Sequence, residues 1–272
     1  MQFSKLAMST LMIASAFSFA ACSKQDANQK SSDEAITATT SATGEASTLP
    51  ENNAHQRLMQ TLQANFDKAG LKAKILNIRN TEIANMYWVT LDGFPAILAT
   101  ADGKYIFQGD VIRLGDKQIH HVSEDLQAAD NKAKFAALDP KDLIIYQAQG
   151  KAQHIIYVFT DSSCPYCHKF HENLPELNKK GIEVRYIAWP RGEQYFPTMQ
   201  NIWCSEDRKA AFDQSINGIP VQAIQCDNPV LAQYQLGMNI GVNGTPAVYN
   251  ADGKYLGGYI EPSDLIKRLN EK

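Results

Sequence analysis

The chain has 272 residues and a formal net charge of −3. That length bounds it to one large domain or two small ones with cores of their own. No long Lys/Arg cluster is present, so a nucleic-acid partner has no electrostatic footprint here.

Lys5 is followed by an apolar run, Leu11 through Phe19, that ends in Ala20-Ala21-Cys22. A basic start, a short apolar stretch and small residues before a cut make residues 1–21 a secretory signal peptide. The run is too short and too Ser-interrupted to span a membrane comfortably. Phe19-Ala20-Ala21-Cys22 is similar to a bacterial lipobox, with Phe19 where that pattern usually has Leu; an ordinary cut after Ala20 also fits. The cysteine count is five. An odd thiol is awkward in an oxidising compartment, and lipidation of Cys22 would leave two pairs.

Residues 22–53 are rich in Ser, Thr, Ala and polar residues and hold no aromatic side chain. They cannot bury enough apolar surface to offset their ordering entropy, and are expected to form a flexible tether reaching on the order of 30 Å. Residues 54–122 are expected to be a small α+β unit. Leu58, Leu62 and Phe66 recur at helical spacing, with Gly70 placed to stop the helix. Strands are expected at Ala73–Ile78, Tyr87–Leu91, Ala96–Thr100 and Lys104–Gln108, the last two around an Asp102-Gly103 turn, and again near Val111–Leu114. Such a unit has a marginal core alone and gains by pairing with a second copy. Residues 123–140 are expected to be a linker helix, capped by Ser123 and ended by Pro140. Being polar nearly all round, it is expected to bridge domains through solvent.

Residues 141–272 alternate. Strands are expected at Leu143–Tyr146, Ile155–Thr160 and Val184–Ala188, with one helix from Cys164 to Lys179 between the last two. Two helical stretches come next, then a hairpin around Asp252-Gly253 and a final helix from Pro262. This is an α/β layout around a mixed sheet.

Cys164-Pro165-Tyr166-Cys167 joins the second of these strands to its helix. Cys164 falls at the helix N-cap, with Pro165 at the first helical position. Unpaired N–H groups and the helix dipole there stabilise a thiolate, so Cys164 is expected to have a lowered pKa and to attack disulfides. Cys167, one turn on, is expected to be more buried and to act as the resolving thiol. The run Cys164–His168 also matches c-type haem attachment, and a CxxC can be half of a zinc site. Haem attachment would cover the nucleophile that the strand–turn–helix setting prepares, and no second CxxC exists. His168 and His171 are expected to be exposed residues that modestly favour the thiolate. Asp161 is a candidate proton acceptor, but a turn residue before the helix is the better reading. Cys204 and Cys226 have ordinary flanks and are expected to form a structural disulfide, a second redox pair being the alternative that lacks a helix-start context. Pro246 alone reads as an ordinary strand-entry proline.

Several stretches together resemble the DsbC/DsbG family of periplasmic thiol:disulfide interchange proteins. They are Val158–Asp161 leading into the CxxC and His168, Val184–Arg191, Trp203-Cys204, Cys226-Asp227 and Gly241–Val248. The resemblance runs from about Ala54 to the C-terminus. It implies a V-shaped homodimer built from an N-terminal dimerisation domain, a linker helix and a thioredoxin-like catalytic domain. It implies a cis Thr245-Pro246 peptide beside the CxxC, with the Thr245 backbone pairing with an extended client strand. It implies clients that are misoxidised or unfolded exported proteins, a membrane reductase of the DsbD kind as electron donor, and no cofactor. Pro165-Tyr166 is the dipeptide of the DsbG branch, which is associated with reducing sulfenic acids; the second cysteine pair and the overall length favour DsbC. A periplasmic holdase chaperone, whose dimer cleft binds unfolded chains without chemistry, is the alternative from another class.

Overall fold

The computed structural model describes residues 51–115 and 118–271. The expected signal peptide, Cys22 and the expected tether as far as residue 50 lie outside the described residues.

The first helix, α1 (Glu51–Lys68), begins three residues before the expected Ala54. Its stripe of Leu58, Leu62 and Phe66 is buried against Ile75, Ile78, Val89, Leu91 and Ile97 of an antiparallel sheet. Gly70 ends the helix at φ +73°, and Leu71 N–H closes the turn on Phe66 O at 2.9 Å. A left-handed glycine just past the last turn satisfies carbonyls that the helix leaves unpaired. The sheet runs in the order β1 (Ile75–Asn80), β2 (Met86–Leu91), β3 (Ile97–Thr100), β4 (Ile106–Phe107). Strand alternation puts Val89 and Leu91 on the α1 side and sends Trp88 to the other face, where its Nε1 donates to Asp130 at 2.7 Å.

A separate two-stranded ribbon follows, β5 (Ile112–Leu114) with β6 (Ile119–His121). β6 was not expected, because Ile119-His120-His121 is too short to show a period. The ribbon leaves apolar side chains in solvent: Leu114 is 79% exposed and Ile119 57%. Ile106 and Phe107 on the edge strand β4 are exposed as well.

The linker helix, α2 (Val122–Ala136), corrects two expectations. Ser123 is not its cap but its second residue. Its hydroxyl accepts from Val111 N–H and donates to Asp110, both at 2.8 Å, and so ties the helix to the ribbon. Nor is α2 a solvent-exposed bridge. Asp130 takes Trp88 and Arg79, the buried Asn131 donates to Gly253 O at 3.0 Å, and Lys132 pairs with Asp252 at 2.7 Å. Phe135 stacks on Tyr157 with ring centres 4.5 Å apart. Polar side chains can face a packed interface when each finds a partner, and composition does not reveal the partners. At Gly253 (φ +84°) any side chain would run into Ala128 O of this helix. The helix ends at Ala136, ahead of a 3₁₀ turn at Pro140–Asp142.

The second sheet has the order β11-β10-β8-β9-β7. Here β7 is Ile144–Tyr146, β8 His154–Thr160, β9 Ile182–Ala188, β10 Ala247–Asn250 and β11 Tyr255–Gly257. Only the β8–β9 pair is parallel. Central β8 is apolar on both faces, with Ile156 and Val158 on one and Tyr157 and Phe159 on the other. That is the sign of a strand covered on both sides. The helix expected from Cys164 to Lys179 is two, α3 (Pro165–Glu172) and α4 (Leu174–Lys179). Pro175 lacks an N–H to continue the first. Three helices replace the two expected next: α5 (Phe196–Cys204), α6 (Arg208–Ile216) and α7 (Val230–Asn239). The Asp207 carboxylate caps α6 on Ala210 N–H at 3.0 Å and separates it from α5. The last helix, α8 (Pro262–Asn270), starts where the sequence predicts. The whole is α/β, a thioredoxin-like mixed sheet following a small α+β unit.

Candidate active site

β8 delivers the chain to Asp161 at the C-terminal edge of the sheet, and α3 starts four residues later with Pro165 in its first turn. Cys164 is the N-cap, in extended conformation (φ −86°, ψ 122°). Among the described residues Cys164 and Cys167 are the free cysteines.

The two thiols differ in electrostatics more than in exposure, which is 2% for Cys164 and 1% for Cys167. Cys164 is held down to about 5, first by a hydrogen bond from the Cys167 thiol. The Thr245 hydroxyl and the N–H groups of Cys167 and Tyr166 also face its sulfur, and together they outweigh its burial. These are the donors that a helix N-terminus leaves without partners. Cys167 is pushed well up, chiefly by burial, and further by donating to Cys164 and sitting beside its charge. The Thr160 hydroxyl and the Asp161 N–H approach the Cys167 sulfur. Thr245 and Pro246 are joined by a cis peptide bond. As a thiol, Cys164 donates to Thr245 O at 3.1 Å. Thr245 Oγ1 is buried with no hydrogen-bond partner among the described residues, leaving its proton available to a thiolate. A groove of about 370 Å³ opens beside Thr245 and Pro246, lined also by Tyr166, Tyr255 and Tyr259.

Asp161 is a structural anchor of the turn. Its fully buried carboxylate accepts from Ser163 N–H and Ser163 Oγ on one oxygen, both at 2.8 Å. The other oxygen accepts from Arg191 N–H at 2.8 Å and Arg191 Nε at 3.4 Å. Arg191 Nη2 donates in turn to Ser163 O and Oγ. With its side chain spent, Asp161 meets the cysteines through its backbone: the carbonyl accepts from Cys164 N–H at 3.0 Å. The turn-residue reading therefore holds over the proton acceptor. Arg191 is a residue that sequence reasoning passed over. It stands in the quoted stretch Val184–Arg191, but nothing local to it gives a role.

The histidines are not free surface residues. His168 is half-buried, and its Nε2 donates to Ser162 O at 2.7 Å, so the nitrogen an iron would take is engaged. His171 lies among Tyr146, Tyr186 and Phe212 and pairs with Asp213 at 3.0 Å. Burial lowers its pKa despite that partner. Cys204 and Cys226 are bonded to each other, 22 residues apart in sequence, and tie the end of α5 to the loop before α7.

Comparison with known proteins agrees with this geometry. Residues 140–272 match the family model of a thioredoxin-like domain, and residues 34–128 match that of the disulfide bond isomerase protein N-terminal domain. The thiol:disulfide interchange protein DsbC of Salmonella typhimurium is 35% identical over 218 residues, covering 76% of this chain and 89% of that one. DsbC of Escherichia coli is 34% identical over 213 residues, covering 77% and 86%. A disulfide interchange protein structure from Neisseria gonorrhoeae aligns at 26% identity with a TM-score of 0.43, over 50% of this chain and 100% of that one. The chain thus belongs to the DsbC family of thiol:disulfide interchange proteins.

Proposed function

We propose that Cys164 is the attacking thiolate and Cys167 the resolving thiol of this disulfide isomerase, working on misoxidised exported polypeptides. The observation that carries the assignment is the opposite tuning of two adjacent thiols, one held down to about 5 and the other pushed up by burial. The Cys164 thiolate attacks one sulfur of a client disulfide. A Cys164–client bond forms, the client S–S bond breaks, and the departing client sulfur leaves as thiolate. A second client thiolate can then displace Cys164, which is isomerisation with no net redox change. Alternatively Cys167, on losing its proton, displaces the client. The client is then reduced by two electrons, Cys164–Cys167 is oxidised, and a dithiol reductase of the DsbD kind restores it. The low pKa makes Cys164 a good leaving group in either branch. No cofactor enters these steps. Thr245 and Pro246 flank the client strand. Pro165, Tyr166 and His168 shape the helix start, and Cys204–Cys226 serves as a structural brace.

Residues 54–122 serve as the dimerisation domain, 123–140 as the linker and 141–272 as the catalytic domain. The exposed Leu114, Ile119, Ile106 and Phe107 support a homodimer, since apolar side chains on a ribbon and an edge strand invite a second copy. The signal peptide places the protein in the periplasm, with Cys22 as a lipid anchor and residues 22–50 as its tether.

Three measurements test this reading. Reduced protein in catalytic amounts should refold scrambled ribonuclease. Cys167→Ala should accumulate client mixed disulfides on Cys164, while Cys164→Ala should trap almost nothing. Equal trapping on Cys167 would overturn the roles. Replacing Leu114 and Ile119 together by Asp should halve the mass seen by light scattering; an unchanged mass would place the interface elsewhere.

A further inference from the structure

Exchange at Cys164 does not by itself account for the tyrosine rings around the neighbouring groove. Tyr166 and Tyr255 are 56% and 54% exposed, and Tyr259 is half-buried. Exposed tyrosine faces are apolar surface kept in water, and they gain by stacking with another ring.

These walls are fixed in place before anything binds. The Tyr259 hydroxyl accepts from Asn173 Nδ2 at 3.2 Å and donates to Glu261 at 3.1 Å. Tyr166 leans towards Tyr259, ring centres 6.2 Å apart. Tyr255 packs on Tyr249 at 5.2 Å, and Tyr249 is rooted in the core against Phe159 at 5.8 Å. Held rings lose little freedom when a ligand arrives, which favours binding. Between the rings the lining is small, with Gly244 and Gly258 beside Asn243, Thr245 and Pro246. A side chain at Gly244 would meet nothing within 4 Å, and one at Gly258 would meet only Pro246 O, at 3.5 Å.

The groove also borders the attacking sulfur through Thr245. Thr245 and Pro246 line it, and Thr245 O is 3.1 Å from the Cys164 sulfur. In a mixed disulfide the client cysteine's Cα sits within about 4.4–6.8 Å of the Cys164 Cα. The next client residue is only ~3.8 Å further along the chain. Thr245 both touches the sulfur and lines the groove, so a side chain at that step of the client is within reach of the groove's 370 Å³.

We propose that this groove is a side-chain-selective subsite that takes an aromatic residue adjacent to the client's disulfide-bonded cysteine. The inference rests on Cys164 as the attacking thiol and adds a sequence preference to it.

The test uses the reduced full-length protein and short peptides joined to glutathione by a disulfide. Glycine, aspartate or tryptophan stands immediately before or after the peptide cysteine. In at least one of the two positions the tryptophan peptide should be reduced about fivefold faster than the glycine peptide, the middle of the range for an aromatic pair. Aspartate should bring no gain. Tyr255→Ala and Tyr259→Ala should each bring the tryptophan-to-glycine ratio below about twofold; the ratio within one protein cancels any general loss of activity. A ratio near one in the unsubstituted protein in both positions overturns the proposal, as does a ratio that survives both substitutions combined. The Cys167→Ala protein keeps the two readings apart. Peptide captured on Cys164 without selectivity defeats the groove alone, whereas capture on another cysteine defeats the Cys164 assignment and the groove with it.

Discussion

Removing the Cys167 thiol should raise the pKa of Cys164, although Cys167 is usually thought of only as the second thiol to act. The Cys167 S–H is the foremost group holding Cys164 down to about 5. A hydrogen bond to a charged acceptor contributes ~1.5–3 kcal/mol. A thiol is a weak donor, so the lower end applies, which corresponds to about one pKa unit. In Cys167→Ala the Cys164 midpoint should therefore move from about 5 to ~6. Near pH ~5.5 the thiolate fraction would fall from roughly three-quarters to roughly one-quarter. Ultraviolet thiolate absorbance against pH measures this directly, since among the described residues Cys164 is the one thiol left once Cys167 is Ala and Cys204 and Cys226 are bonded. The alkylation rate carries an independent sign. Nucleophilicity rises with pKa with a Brønsted slope of ~0.4–0.5, so the plateau rate above pH ~7.5 should increase about threefold. Stability follows the same shift. The folded pKa lies below the ordinary thiol value of 9.0, so the thiolate's contribution is full above that value and is lost as pH falls to about 5. In Cys167→Ala the loss should be complete at a higher pH. A midpoint that stays put or falls, with an unchanged plateau rate, would refute the S–H···S⁻ bond as the leading cause.

Two further perturbations probe the frame around the sulfurs. Arg191→Met would leave the buried Asp161 carboxylate without its cation. Breaking a fully buried pair costs ~3–5 kcal/mol, but Arg191 is 33% exposed and its Nε contact is 3.4 Å, so about 2 kcal/mol is expected in urea unfolding. Adding Asp161→Asn should recover part of that loss; a cost below ~0.5 kcal/mol for Arg191→Met would deny the lock any role. Replacing Cys204 and Cys226 by Ala opens a loop closed across 22 residues, for an expected loss of about 3 kcal/mol by denaturant unfolding. Ribonuclease refolding should continue below the new midpoint; its complete loss would mean that the pair takes part in exchange.

What the sequence made legible was local chemistry. Pro165 marks the helix start that makes Cys164 an N-cap, and Asp102-Gly103 and Asp252-Gly253 mark turns with Gly103 at φ +65° and Gly253 at φ +84°. Gly70 marks a helix end for the same conformational reason. What stayed hidden depends on partners distant in the chain. Arg191 finds Asp161 thirty residues away, and His171 finds Asp213 and Tyr186 in elements whose contact no spacing rule encodes. The α2 helix misled because polarity was equated with exposure. Asn131 shows the error, since it is 2% exposed and bonded to a carbonyl 122 residues away. Ser123 misled by the same route: serine before two acids fits a cap, but its hydroxyl serves the ribbon instead.

The same surroundings that lower the Cys164 pKa also bear on how the enzyme would stay useful in the oxidising compartment proposed for it. An isomerase works only with Cys164 reduced, because an oxidised pair cannot attack. Stabilising the thiolate stabilises the dithiol form over the Cys164–Cys167 disulfide, so exchange with ordinary thiols tends to leave the pair reduced. That equilibrium preference does not stop a small oxidant from reaching a thiolate, and reactivity rises with access as well as with thiolate character. Here the sulfur is reactive but covered, since Cys164 is 2% exposed and lies against Thr245 O. Thr245, whose carbonyl lies 3.1 Å from that sulfur, also lines the groove bounded by Tyr166, Tyr255 and Tyr259, so the groove is the approach that the proposed client subsite would use. Opening that groove should make Cys164 more susceptible to peroxide while weakening its preference among peptides. Tyr255→Ala is the direct comparison: faster sulfenic acid formation together with a lower tryptophan-to-glycine ratio would show that one wall serves both ends. A change in only one of the two would show that protection and selection have separate origins.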